Sequence, residues 1–167
     1  MFWHYTTGKH IDAIFNQGVL NPQVASWAQG GMPAVWFSTN EAWEPTANCA
    51  FQTVNTRHRL LGNREMTELL CDGLFRISVK PTASVITWGQ YCEESRLTYR
   101  CVEACRRVAA IEGSHTGRWL ACLREVPADQ WATVERWYGD QWGVIEGAAE
   151  VMPLWEEEED WLFQAAG

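Results

Sequence analysis

Phe2-Trp3-His4-Tyr5-Thr6-Thr7 opens the chain with an aromatic or hydrogen-bonding side chain at every position. A strand alternates its faces, so Trp3, Tyr5 and Thr7 point one way and Phe2, His4 and Thr6 the other. Such density is unusual at a chain end, where side chains are normally dispensable. The stretch therefore reads as a strand that is buried on both faces or that lines a pocket with one of them.

The pattern continues outward from this strand. Over residues 8–17, Ile11, Ile14 and Phe15 recur at helical spacing, and Gly18 stands where a left-handed cap ends a helix. Val19-Leu20 leaves in an extended form before Asn21-Pro22, and the small residues of 26–32 predict a loop. Ala34-Val35-Trp36-Phe37-Ser38-Thr39 reads as a second strand. Glu44-Pro45 predicts a helix over 44–55, because Pro suits the first helical position. Residues 57–64 are basic and irregular. Leu74-Phe75-Arg76-Ile77-Ser78-Val79 alternates as a strand, and 85–88 is a further short one. Leu97, Cys101, Val102, Cys105, Val108 and Ala109 form the apolar stripe of a helix over 95–111. Strands follow at 119–123, 133–137 and 142–145, the last two joined by the turn Tyr138-Gly139-Asp140-Gln141. This mixed order predicts an α+β fold rather than a regular βαβ alternation.

A chain of 167 residues is long enough for one domain with a sizeable core and no staples. Eleven tryptophans are unusually many; Trp suits cores, interfaces and the walls of sites that stack flat rings, so most read as core and a few are left to line a pocket. The net charge of −8 disfavours a sequence-independent nucleic-acid surface, which requires clustered Lys and Arg. Much of that charge lies in Glu156-Glu157-Glu158-Glu159-Asp160, so the reading is a single domain over 1–155 and an acidic tail over 156–167. The cysteines at 49, 71, 92, 101, 105 and 122 show no CxxC pair and no zinc spacing. The start carries no basic segment followed by a long apolar run, and no stretch approaches a membrane span. A cytoplasmic protein with reduced thiols is the expectation.

Walker, GxGxxG, GxSxG and HExxH motifs are all missing, which removes nucleotide hydrolysis, dinucleotide-fold redox chemistry, serine hydrolysis and zinc proteolysis from the leading classes. His4, the Ser38-Thr39-Asn40 run and the later acids remain.

Those pieces have a familiar order. Phe2-Trp3-His4-Tyr5, then Ile11, Ile14, Gly18-Val19-Leu20 and Pro22, resembles the start of the ADP-ribosyltransferase superfamily, whose poly(ADP-ribose) polymerase branch has a strand ending in Trp-His, a helix and a Gly-Leu exit. Val35-Trp36-Phe37-Ser38-Thr39 followed by Thr46-Ala47-Asn48-Cys49 resembles that branch's aromatic strand and small-residue helix, and also the Ser-Thr-Ser strand of the toxin branch. The resemblance covers about the first fifty residues. It implies an ADP-ribosyltransferase-like split antiparallel β-sandwich with flanking helices, enclosing a cleft for NAD as co-substrate.

By position, the resemblance assigns His4 to a ribose contact, with Tyr5 and Thr6 beside it. Trp36 would wall the nicotinamide pocket, Ser38 and Thr39 would support it, and Phe51 on the following helix would close the opposite side. The family's late catalytic acid would be Glu135 or, second, Glu125. Glu44 reads as a favourable charge at a helix start, with a reserve role as an acid near the cleft. Where the polymerase branch has Gly after the His, this chain has Tyr5, which implies a narrower pocket. The implied activity is NAD-dependent mono-ADP-ribosyl transfer to a macromolecule, chiefly protein. Gly117-Arg118-Trp119-Leu120 leading to Val126-Pro127 also resembles the RNA 2'-phosphotransferases of the same fold, for which Arg57, His58, Arg59, Arg76 and Arg118 would supply phosphate-binding charge. NAD hydrolysis is a further alternative, as is a non-enzymatic protein-binding or inhibitor module with a degenerate cleft.

Overall fold

The computed structural model describes residues 1–25, 31–52, 59–80 and 83–145. The opening stretch is a strand, β1 (Phe2–Thr7), and it runs directly into helix α1 (Gly8–Gln17). A glycine is needed at that junction: a Cβ on Gly8 would sit 2.0 Å from the carbonyl oxygen of Asp72. The helix ends at Gly18, whose φ of 63° is left-handed and whose N–H bonds the carbonyls of Ile14 and Phe15. Then come β2 (Val19–Leu20), β3 (Val35–Ser38), a single 3-10 turn (Pro45–Ala47), β4 (Ala50–Gln52) and β5 (Arg59–Leu61). The chain continues through α2 (Arg64–Leu70), β6 (Leu74–Val79), β7 (Ile86–Thr87), α3 (Trp88–Glu94) and α4 (Tyr99–Ile111). It closes with β8 (Trp119–Cys122), β9 (Val126–Pro127), β10 (Trp131–Trp137) and β11 (Trp142–Val144).

Seven strands form one antiparallel sheet in the order β11-β10-β6-β1-β3-β8-β7, so the fold is a mixed helix-and-sheet structure with an antiparallel sheet at its centre. The two small strand pairs β2-β9 and β4-β5 lie apart from it. The joint between β1 and β3 is unlike the others. β1 pairs with β6 over six residues but shares a single registered pair with β3, Trp3 with Ser38. The main sheet thus consists of a four-stranded and a three-stranded part meeting at one pair.

Alternation along the strands gives the sheet two different faces. On one, Ile77, Val79, Phe75, Val35, Phe37, Cys122 and Val134 join Ile11 of α1 and Val126 of β9 in the main core. On the other, pairing aligns Ser78, Trp3, Ser38 and Trp119 in one row across four strands. Glu135, Arg76 and Tyr5 align in the next. A second core of Trp88, Tyr91, Cys105, Ala109, Trp119 and Ala121 packs α3 and α4 against β8.

Two expected elements differ, and one helix was not expected. Among the described residues of the expected 44–55 helix only a three-residue 3-10 turn forms after Glu44, and Phe51 lies on strand β4, paired with Leu60 of β5. The expected helix over 95–111 starts later, because Arg96 takes a positive φ of 51° and Thr98 then caps α4 through its side chain on the Cys101 N–H. Helix α2, for which the sequence reading gave no element, starts where the irregular 57–64 stretch ends and is capped by Asn63 on the Met66 N–H. The acidic tail, most of the 26–32 loop, and Arg57 and His58 lie outside the described residues.

Candidate functional site

The single pair between β1 and β3 decides where a site can form. After Trp3 and Ser38 the backbone ladder stops, and a side chain makes the next link: His4 Nδ1 donates to the carbonyl oxygen of Trp36 at 2.9 Å. A carbonyl only accepts, so the proton of the neutral ring sits on Nδ1 and Nε2 keeps its lone pair. The ring is half-buried, lines the space beside β3 and stands edge-on to Phe37. Burial, the largest influence, holds its pKa below the ordinary 6.5 against the opposing bond to Trp36.

A cavity of about 400 Å³ opens at this joint. β1 contributes Trp3, His4 and Tyr5, and β3 contributes Trp36, Phe37 and Ser38. Glu44, Thr46 and Ala47 close it from the segment after β3, Trp119 from β8, and Ala104, Cys105 and Val108 from α4. Its volume falls within the range of about 300–1,000 Å³ typical of small-molecule sites, as does its mainly aromatic lining with a few polar groups.

Glu44 is the carboxylate of this cavity, and it is buried at 5% exposure. Ser38 Oγ donates to its Oε2 at 2.7 Å; Thr46 Oγ1 donates to Oε1 at 2.7 Å and Trp119 Nε1 to Oε1 at 3.3 Å. Three side chains from three segments therefore fix one carboxylate. The segment that carries it is pinned at several points. Tyr5 donates its hydroxyl to the Asn40 carbonyl, Arg76 binds the Glu41 carbonyl, Trp142 Nε1 donates to the Ala42 carbonyl at 2.9 Å, and Trp43 Nε1 donates to Asn48 Oδ1 at 2.9 Å. Tyr5 stands edge-on to Trp43 with ring centres 4.9 Å apart, and burial pushes its phenol up to about 12 despite the neighbouring Arg76.

The sequence-predicted site residues divide clearly. His4, Tyr5, Trp36 and Ser38 line the cavity together. Thr6 is buried in register with Phe75, Thr39 is exposed, and Phe51 lies on β4; none of the three lines the cavity. Glu135 is buried at 8% exposure and is taken up by structure: Arg76 Nε donates to its Oε2 at 2.7 Å, and Thr133 donates to its Oε1 at 3.2 Å. Arg76 is in turn held 3.8 Å over the Trp3 ring and 4.5 Å over Trp142, so Glu135 stands behind the cavity wall. Glu125 is exposed beyond β8 and outside the cavity. The acid that the geometry brings to His4, Trp36 and Ser38 is Glu44, whose Glu-Pro context reads from sequence as a helix start. Trp119 and the α4 residues read from sequence only as strand, late-segment and helix-stripe positions; pairing of β8 with β3 and the packing of α4 bring them to the cavity.

The cavity lining includes no Arg or Lys among the described residues. Arg76 is paired with Glu135, and Arg118 is exposed. The described residues also hold no group of three or more His, Cys, Asp or Glu suited to a metal ion, and no helix long and apolar enough to cross a membrane. Comparisons with protein-family models, with curated proteins and with solved structures return no match for this chain.

Proposed function

We propose that the protein is a mono-ADP-ribosyltransferase of ADP-ribosyltransferase-like fold that binds the nicotinamide end of NAD between β1 and β3 and transfers ADP-ribose to a macromolecule, chiefly protein. One observation carries the reading. The two pieces of sequence that resemble the superfamily, His4 on one strand and Trp36 with Ser38 on another, line a single aromatic cavity that also contains a buried carboxylate, Glu44.

NAD supplies an ADP-ribosyl group whose leaving group, a positively charged nicotinamide, departs as a neutral ring. The Trp3, Tyr5 and Trp36 rings favour a flat aromatic ring by stacking or edge contact. His4 Nε2 offers an acceptor to a ribose hydroxyl while Nδ1 stays on Trp36. Glu44 places a fixed negative charge where positive charge develops on the sugar, and an enclosed site strengthens that interaction. The cavity's size suits the nicotinamide–ribose half of NAD. Transfer of a 2'-phosphate from RNA is less well supported, because its anionic substrate would meet an acidic cavity without a lining cation.

We place the protein in the cytoplasm, where cysteines without a disulfide framework persist as thiols. The experiment that separates transfer from hydrolysis follows NAD labelled in its adenylate half. Label carried onto protein in a cell extract supports transfer, whereas free ADP-ribose alone would replace it with hydrolysis.

A further inference from the structure

Cys49 and Cys71 bring their sulfur atoms within 2.7 Å of each other, although Cys49 precedes β4 and Cys71 caps the end of α2. That is far closer than two sulfur atoms rest without sharing a bond, against about 2.05 Å once a disulfide has formed. The approach is set by the backbone. Thr67, fully buried in α2, accepts the Cys49 N–H on its Oγ1 at 3.0 Å, and its carbonyl accepts the Cys71 N–H at 3.0 Å. The Cys49 carbonyl is held in turn by the Gly62 N–H at 2.9 Å. One threonine therefore fixes both cysteines.

We propose that Cys49 and Cys71 are a reversible dithiol–disulfide site whose closure ties the Glu44-bearing segment to the junction of β1 and α1. Cys49 lies two residues beyond Ala47 of the cavity wall. On the other side, the Cys71 carbonyl accepts the Lys9 N–H, and the Gly73 carbonyl accepts the Gly8 N–H, where β1 becomes α1. A bond between the sulfurs crosses from one of these structures to the other. The site is independent of what the cavity binds.

The oxidant is a low-molecular-weight disulfide. Cys49, the more accessible of the two, attacks one of its sulfurs as thiolate, displacing one small thiolate and leaving a mixed disulfide. Cys71 then attacks the Cys49 sulfur and releases the second small thiolate. Two protein thiols are oxidised, one small disulfide is reduced to two thiols, and the two protons pass to those thiols or to solvent. Burial and the neighbouring Cys71 push the Cys49 thiol up to about 12, so exchange is slow at neutral pH and the pair persists as a dithiol in a reducing compartment.

The test uses the full chain, incubated with oxidised glutathione at mildly alkaline pH, then thiol-blocked and digested without reduction. A peptide joining Cys49 to Cys71 is expected, with the other four cysteines blocked and the link reversed by dithiothreitol. The oxidised protein should melt about 5 °C or more above the reduced one, a difference absent in Cys49→Ser. A bond between any other pair would overturn the proposal, as would a glutathione adduct on Cys49 with Cys71 still blocked. An unchanged melting temperature in the linked protein would overturn the tie. The mapping needs only the wild-type chain, so it decides even if a variant fails to fold.

Discussion

His4 Nδ1 lies 2.9 Å from the carbonyl oxygen of Trp36, bridging two strands whose backbones share one registered pair. A side chain thus does at this joint what a ladder hydrogen bond does elsewhere in the sheet. The room left beside it is the cavity.

The His4 ring makes stability depend on pH. Its pKa in the folded protein lies below 6.5 because burial disfavours the charged form. As pH falls below about 6.5 the unfolded chain takes up a proton that the folded one refuses, so stability declines. Melting curves between pH 7.5 and 5.5 should show a steeper fall for wild type than for His4→Gln, which retains a donor for Trp36 and cannot titrate. Equal slopes would remove His4 from the account of acid sensitivity.

Glu44 should resist neutral replacement. Glu44→Gln turns an amide N–H₂ toward groups that themselves donate, Ser38, Thr46 and Trp119, and leaves at least one buried donor unpaired. A loss of about 1–3 kcal/mol is expected from urea unfolding with an unchanged denaturant slope. No loss would mean that these donors are satisfied elsewhere.

Arg76 and Glu135 form a buried pair, with side chains 10% and 11% exposed. Removing one partner strands the other charge, so Glu135→Gln should cost about 3–5 kcal/mol in the same measurement. Replacing both together, Arg76→Met with Glu135→Leu, should recover most of it; a simple sum of the two single effects would deny the coupling.

The three carboxylates considered for catalysis separate by position. Glu125 is exposed and outside the cavity, so Glu125→Gln should leave both melting temperature and nicotinamide release from NAD at wild-type levels. A loss of release in that variant would place the acid outside the cavity described here.

Much of the fold was legible because alternation and helical spacing are local signals. β1, β3, β6, β10 and β11 follow their apolar patterns, and Gly18 stops α1 where a left-handed residue is needed. Helix α2 was not legible: Thr67 is its buried residue while Leu69 is 80% exposed, the reverse of an amphipathic pattern. The expected helix after Glu44 failed because that side chain turns inward to Ser38 and Trp119, and Ala50–Gln52 pairs with a distant strand. For the site, the residues of β1 and β3 that line the cavity were legible, as was Glu44 in its reserve role, whereas Glu135 and Glu125, ranked ahead of it, lie outside the cavity lining. Glu135 lies on the expected strand, yet cross-strand register sets it against Arg76, and register is not readable from one strand alone.

The most direct measurement is nicotinamide release on incubation with NAD, comparing wild type with a folded His4→Ala protein. Release by wild type, abolished in His4→Ala because the ribose contact and the bridge to Trp36 are both removed, is the predicted result. No release by wild type, or release that survives the substitution, would contradict the assignment of the β1–β3 cavity to NAD.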